Sequence, residues 1–168
     1  MSSIAPLKTI AVGIVVERSK SAGPWIDFLW RPIAALGGAP DTPPWTKLSD
    51  EGERATFFVG AADIELYRSE AGNYRQNLLV EMPLLWVALR RTDTDPPYVL
   101  AAVTVDPAEG ESWAALGNDL VDTVAMPAAV EAPLPPAKRW KIGYRCPRKT
   151  ASAAPAVASD ASPQLTPR

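Results

Sequence analysis

Leu84-Leu85-Trp86-Val87-Ala88-Leu89-Arg90 is the stretch on which the reading of this chain turns. In an extended backbone Leu85, Val87 and Leu89 point one way and Leu84, Trp86 and Ala88 the other, so both faces are apolar. A strand apolar on both faces is normally covered on both. The run is short for a helix, and Pro83 stands at its start, where a missing N–H does least harm to a ladder. It is therefore expected to be the central strand of a mainly β domain, and the rest of the chain must supply its neighbours and its cover.

Towards the C-terminus, Arg91 to Pro97 is a polar loop, and Tyr98 to Asp106 is a further strand with Val99, Ala101, Val103 and Val105 on one face. Asp106-Pro107-Ala108-Glu109 then gives the sharpest local signal in the chain. Asp106 suits the capping position, Pro107 suits the first helical position, and Glu109 completes a capping-box-like arrangement. The helix should run to Leu116, with Gly117 in the left-handed position that closes it. Trp113 and Leu116, three apart, are expected to seat it on the sheet. Leu120 to Met126 reads as the last strand, and Pro127 opens a short turn or helix.

Towards the N-terminus, Ser69 to Leu78 is polar and irregular, with room for one helical turn. Ala55 to Gly60 and Ala62 to Arg68 read as two strands joined by a tight hairpin near Gly60-Ala61. Gly37 to Pro44 is a loop. Trp25 to Ile33 alternates as an edge or bulged strand, because Pro32 cannot donate to a ladder; the same proline argues against a helix from Trp25 to Leu36. From Lys8 to Arg18 the period is two, with Ile10, Val12, Ile14 and Val16 on one face and β-branched residues dominant. Gly13 marks a bulge or a close backbone contact.

These elements predict one mainly β (α+β) domain over residues 8–130, after a loose N-terminus at 1–7. The expected architecture is a strongly curved antiparallel sheet or partly closed barrel with one or two short helices; the alternative is an α+β two-layer sandwich. Residues 131–168 are Pro/Ala-rich and basic. They carry too little apolar area to offset their ordering entropy, and a disordered tail is expected.

Composition sets further bounds. The chain has 168 residues, 47% hydrophobic and 21% charged, as in a globular protein with a sizeable core. Its net charge of −2 provides no basic field for nucleic acid or acidic membranes, and neither partner is expected. There is no histidine and one cysteine, Cys146. That excludes a histidine-based triad, a histidine metal site, a Cys/His zinc finger and an internal disulfide. Basic neighbours of Cys146 would lower its pKa, yet an incidental tail cysteine is the preferred reading. No run approaches the ~20 apolar residues of a membrane helix. Ile10 to Val16 lacks a cleavage site, so a cytoplasmic protein is expected.

Several pieces together resemble an uncharacterised proteobacterial family, domain of unknown function 3305. They are Val12-Gly13-Ile14-Val15-Val16-Glu17-Arg18, Pro24-Trp25 leading to Trp30-Arg31-Pro32, Glu65-Leu66-Tyr67-Arg68, Asn77-Leu78, the strand at Leu84–Arg90, Val103-Thr104, Pro107, Glu109 and Met126-Pro127. The resemblance runs from about Ile10 to Val130. It implies a place beside molybdenum-dependent formate dehydrogenase genes, with a formate dehydrogenase subunit or maturation factor as the protein partner, and no established activity. After Pro127 a Pro-rich stretch stands where the family pattern suggests a longer ordered helix.

Two constellations are candidates for binding. Glu65, Tyr67, Arg68, Glu70, Tyr74, Arg75 and Asn77 form the densest polar and aromatic group, suited to recognising a partner or ligand beside a rigid sheet. Glu65 and Glu70 are a conceivable acid/base pair; the plainer alternative is a turn that bonds its own backbone and pairs its charges. Trp25, Trp30 and Arg31 are residue types favoured at binding hot spots, although Trp30 fits a core position equally well and Trp25 is the one expected to be exposed. Gly13 and Gly37-Gly38 match no phosphate-binding loop, and no catalytic residue, metal or cofactor is predicted. The basic run from Lys138 to Lys149, with Trp140 and Tyr144, is read as a solvated tail.

Overall fold

Leu84 to Arg91 forms a strand at the centre of a three-stranded sheet, as its two-sided apolarity predicts. The computed structural model describes residues 5–134. In chain order the elements are β1 (Lys8–Lys20), β2 (Phe28–Gly37), β3 (Thr46–Asp50), β4 (Arg54–Leu66), a 3-10 turn (Arg68–Glu70), α1 (Ala71–Leu78), β5 (Leu84–Arg91), β6 (Tyr98–Thr104), α2 (Pro107–Leu116), β7 (Leu120–Ala125) and α3 (Ala128–Glu131). All paired strands are antiparallel. They form one sheet in the order β2-β1-β4-β3 and a second in the order β6-β5-β7.

Both faces of β5 are covered. Leu85, Val87 and Leu89 are completely buried against Val12, Ile14 and Val16 of β1. On the other face α2 lies over Trp86. Gly110 makes that approach possible, since a Cβ there would stand 2.0 Å from the Trp86 ring. Asp106 caps α2 by accepting from the Ala108 and Glu109 N–H groups, and Gly117 ends it in the left-handed conformation. The packing contact is Gly110, however, and Leu116 is exposed rather than seated on the sheet.

The ladders correct several sequence expectations. The region read as a hairpin at Gly60-Ala61 is one 13-residue strand, β4, because β1 offers it a partner along its whole length. The register steps from Ile14↔Gly60 to Val15↔Phe58, so Val59 is the extra residue of a bulge, and Gly60 (φ 131°) takes up the distortion. Gly13 sits in a close contact as expected, since a Cβ there would be 2.8 Å from the Phe58 ring. β3 escapes the sequence reading: Thr46-Lys47-Leu48-Ser49-Asp50 is a mostly exposed edge strand with one large apolar residue, which leaves no periodic signal. Ser69–Leu78 holds a 3-10 turn and a two-turn helix rather than irregular chain. In β6 a bulge at Ala101 breaks the single face: Tyr98 and Leu100 turn inward with Val103, and Val99 is left exposed.

β2 is the edge of its sheet and bears Pro32, with Ile33 bulged out between Pro32 and Ala34. β4 runs beside β6, and β2 beside β7, without a ladder joining either pair. The hydrogen bonds therefore build two facing sheets, not one strongly curved sheet or a partly closed barrel. The packed chain also continues past Val130: α3 rests on β2, where Gly37 makes room for Ala129, and Leu134 is buried in the core. The tail expectation beyond Leu134, Cys146 and the basic run Lys138–Lys149 lie outside the described residues.

Candidate functional site

The end of β4, α1, the end of β6 and the start of α2 converge on a cleft of about 640 Å³. Alternation along β4 sets its first wall. Ile64 and Leu66 are buried, so Asp63 and Glu65 face outward into the cleft. Tyr67 follows, and its hydroxyl donates to Glu65 Oε2. That hydrogen bond is the main reason why the Tyr67 phenol titrates above its ordinary value.

The second wall comes from the 3-10 turn and α1. Ala71, Tyr74 and Asn77 recur at threefold spacing and form the buried stripe of α1, which leaves Glu70 and Asn73 towards the opening. The Asn73 amide donates to Asp106 Oδ2 at 2.9 Å and to Glu70 Oε2 at 3.3 Å. Asp106 is itself buried. Its Oδ1 holds the start of α2, and its own N–H donates to Thr104 Oγ1 at 3.1 Å. The reciprocal half of a capping box is thus made by Thr104 rather than by Glu109, which lines the cleft with Trp113.

Of the residues singled out by sequence, Glu65, Tyr67, Glu70 and Tyr74 do meet in this cleft. Tyr74 is buried, and its hydroxyl accepts from the Tyr67 N–H at 3.0 Å. Burial is the main cause that pushes its phenol above the ordinary tyrosine value. Asn77 is fully occupied within the fold. It donates to the Leu84 and Val105 carbonyls at 2.7 and 2.8 Å and accepts from the Leu84 N–H at 2.9 Å. It ties α1 to the start of β5 and the end of β6. Arg68 is exposed on the 3-10 turn. Trp25 and Arg31 belong elsewhere: Trp25 is 93% exposed in the turn before β2, and Arg31 on β2 reaches Asp122 of β7 at 3.7 Å, bridging the two sheets. Sequence reasoning missed Asn73 and Glu109 as cleft residues and took Asp106 as a cap alone. Asn73 and Asp106 are 33 residues apart, so nothing local announces their pairing.

Asp63, Glu65, Glu70, Asp106 and Glu109 make the cleft acidic, and no lysine or arginine lines it. Such a lining suits a cationic or hydrogen-bond-donating group. Among the described residues, no cluster of three or more His, Cys, Asp or Glu has the arrangement to hold a metal ion. No helix there is long and apolar enough to cross a membrane.

The family model described as Protein of unknown function (DUF3305) matches residues 11–135. The chain belongs to this family. The match runs from within β1 through every later element among the described residues to Leu134, so the family pattern continues through the segment after Pro127 that the sequence reading set apart. No curated protein and no solved structure matches this DUF3305 chain.

Proposed function

We propose that this DUF3305 protein is a non-enzymatic cytoplasmic accessory protein that docks on a protein partner in the assembly or operation of a molybdenum-dependent formate dehydrogenase. The observation that carries the docking is the turn before β2 together with the first residues of that strand. Trp25, Ile26, Phe28 and Leu29 are all exposed, Trp25 almost completely. Four large apolar side chains within five positions at a sheet edge form the kind of patch that partners cover. The identity of the partner rests on the gene neighbourhood that the family resemblance implies.

A tagged full-length chain expressed in its native host tests this. Formate dehydrogenase subunits or maturation factors should be recovered with it, and a Trp25→Ser/Leu29→Ser double variant with an unchanged circular dichroism spectrum should lose them. Failure to recover any of these proteins, together with intact formate oxidation after deletion, would remove the proposal.

A second reading is supported by the acidic cleft. Glu65 and Glu70 line one cavity with Tyr67 and Trp113, as a small-molecule binder or carboxylate-based enzyme requires. Against it, both carboxylates already hold internal partners, Tyr67 and Asn73. A thermal-shift screen of metabolites and pterin cofactors decides: a ligand of this cleft raises the melting temperature, and Glu65→Gln abolishes the rise.

A further inference from the structure

β1 places Ile10, Val12, Ile14 and Val16 in one inward row, and the next residue of that row is Arg18. A charge thus stands where the alternation leads to core. Arg18 pairs across the ladder with Trp30 of β2, and its guanidinium lies 4.5 Å from the centre of the Phe28 ring and 5.5 Å from that of Phe57. The rings hold this flexible side chain by cation–π attraction. Among the described residues no carboxylate is within ion-pairing distance of it, and it makes no side-chain hydrogen bond. Its five N–H donors are therefore held beside the rings and unclaimed among the described residues, with the Asp50 carboxylate acting on it only at longer range.

Beside Arg18 is a cavity of about 240 Å³ at one end of the two sheets. Trp30, Trp45 and Phe57 line it, with Trp30 and Trp45 edge to face at 5.6 Å. Both tryptophans are only partly buried. Trp45 sits at φ 66°, a left-handed conformation that is strained for a bulky residue and persists only where the surroundings impose it. Here it points an indole into the cavity ahead of β3. Lys47 also lines the cavity but is engaged with Asp50 at 2.7 Å, and Asp95 and Pro96 of the β5–β6 loop close one side. The floor is thus aromatic; the cation on it without an ion pair among the described residues is the Arg18 guanidinium, and the exposed Asp95 carboxylate stands on the loop side, so a bound anion must be seated at the Arg18 end.

We propose that this end pocket is a binding site for a small planar anion, of the aromatic carboxylate class. The ring would stack among Trp30, Trp45 and Phe57, and the carboxylate would take the paired donors of Arg18. The volume limits the ligand to one or two fused rings. The site is separate from the acidic cleft, whose lining would repel such a ligand, and it does not depend on the partner proposed above.

Isothermal titration calorimetry of the full chain tests it with three probes of one shape: indole-3-carboxylate, indole and tryptamine. The anion should bind at least tenfold more tightly than the neutral or cationic probe. Arg18→Gln should weaken the carboxylate by about tenfold, as expected for a lost charge-assisted hydrogen bond, and Trp45→Leu should weaken all probes that bind. Absence of heat up to millimolar carboxylate, equal or tighter binding of indole or tryptamine, or undiminished binding by a folded Arg18→Gln variant would each overturn the proposal. If Arg18→Gln does not fold, the ranking of the three probes on the parent chain decides alone.

Discussion

Asn77 shows how one polar side chain in the interior can be structural rather than functional. Its amide makes three hydrogen bonds to the backbone of Leu84 and Val105, and the residue is 4% exposed. Asn77→Ala orphans one N–H and two carbonyls, and at about 1–3 kcal/mol per unsatisfied buried group, partly relieved by water, the loss should be about 2–4 kcal/mol in urea unfolding. Asn77→Asp should not rescue it, since a carboxylate would then face two carbonyl oxygens. Tyr74 offers a pH test. Its phenol is raised above the ordinary value near 10 mainly by burial. The native state therefore keeps a proton that the unfolded chain releases first. The resulting stability is complete below pH 10 and is lost as the pH rises through 10 towards the raised folded value. Tyr74→Phe should flatten that alkaline decline, while costing about 0.5–1.5 kcal/mol at neutral pH because the Tyr67 N–H loses its acceptor.

At the scale of elements, α2 is defined by local chemistry and seated by a single glycine. Alanine at Gly110 would favour the helix by roughly 1 kcal/mol in isolation. In the fold its methyl would stand 2.0 to 2.5 Å from Trp86 Cγ, Cδ1 and Cβ, and Trp86 Cβ is fixed to the β5 backbone. The packing loss should win, so Gly110→Ala is expected to destabilise by about 1–3 kcal/mol net, the usual cost of overpacking. A Gly110→Ala/Trp86→Leu double variant should recover much of that loss in a double-mutant cycle, because the two positions share one contact. If Gly110→Ala instead raised the melting temperature, α2 would not be packed on β5 through this residue.

For the whole molecule, the limit of the packed unit can be measured. Leu134 is 3% exposed, so the core extends beyond α3. A chain ending at Pro136 keeps Leu134 and should melt within a few degrees of the full chain. A chain ending at Glu131 loses that side chain and should be less stable by about 1.5–3 kcal/mol, the burial value of one leucine. A large loss on ending at Pro136 would instead place essential packing beyond that residue.

Sequence by itself determined the class of this protein and those elements whose cause is local. Alternation at Ile10–Val16 and Leu84–Leu89 specifies strands, Pro32 specifies an edge, and Asp106-Pro107 with Gly117 specifies both ends of α2, because each signal acts within a few residues. Glu65, Tyr67, Glu70 and Tyr74 were legible as a group for the same reason. What only the tertiary structure decided depends on partners distant in the chain. β4 is one strand because β1 pairs with all of it; Val99 faces solvent because the β5 ladder bulges β6 at Ala101; Asn73 enters the cleft because Asp106 is there. Arg18 is the plainest case. A period of two puts it in the inward row, but whether a charge there meets solvent, a carboxylate or three aromatic rings is set by β2 and β4, whose register no local pattern encodes.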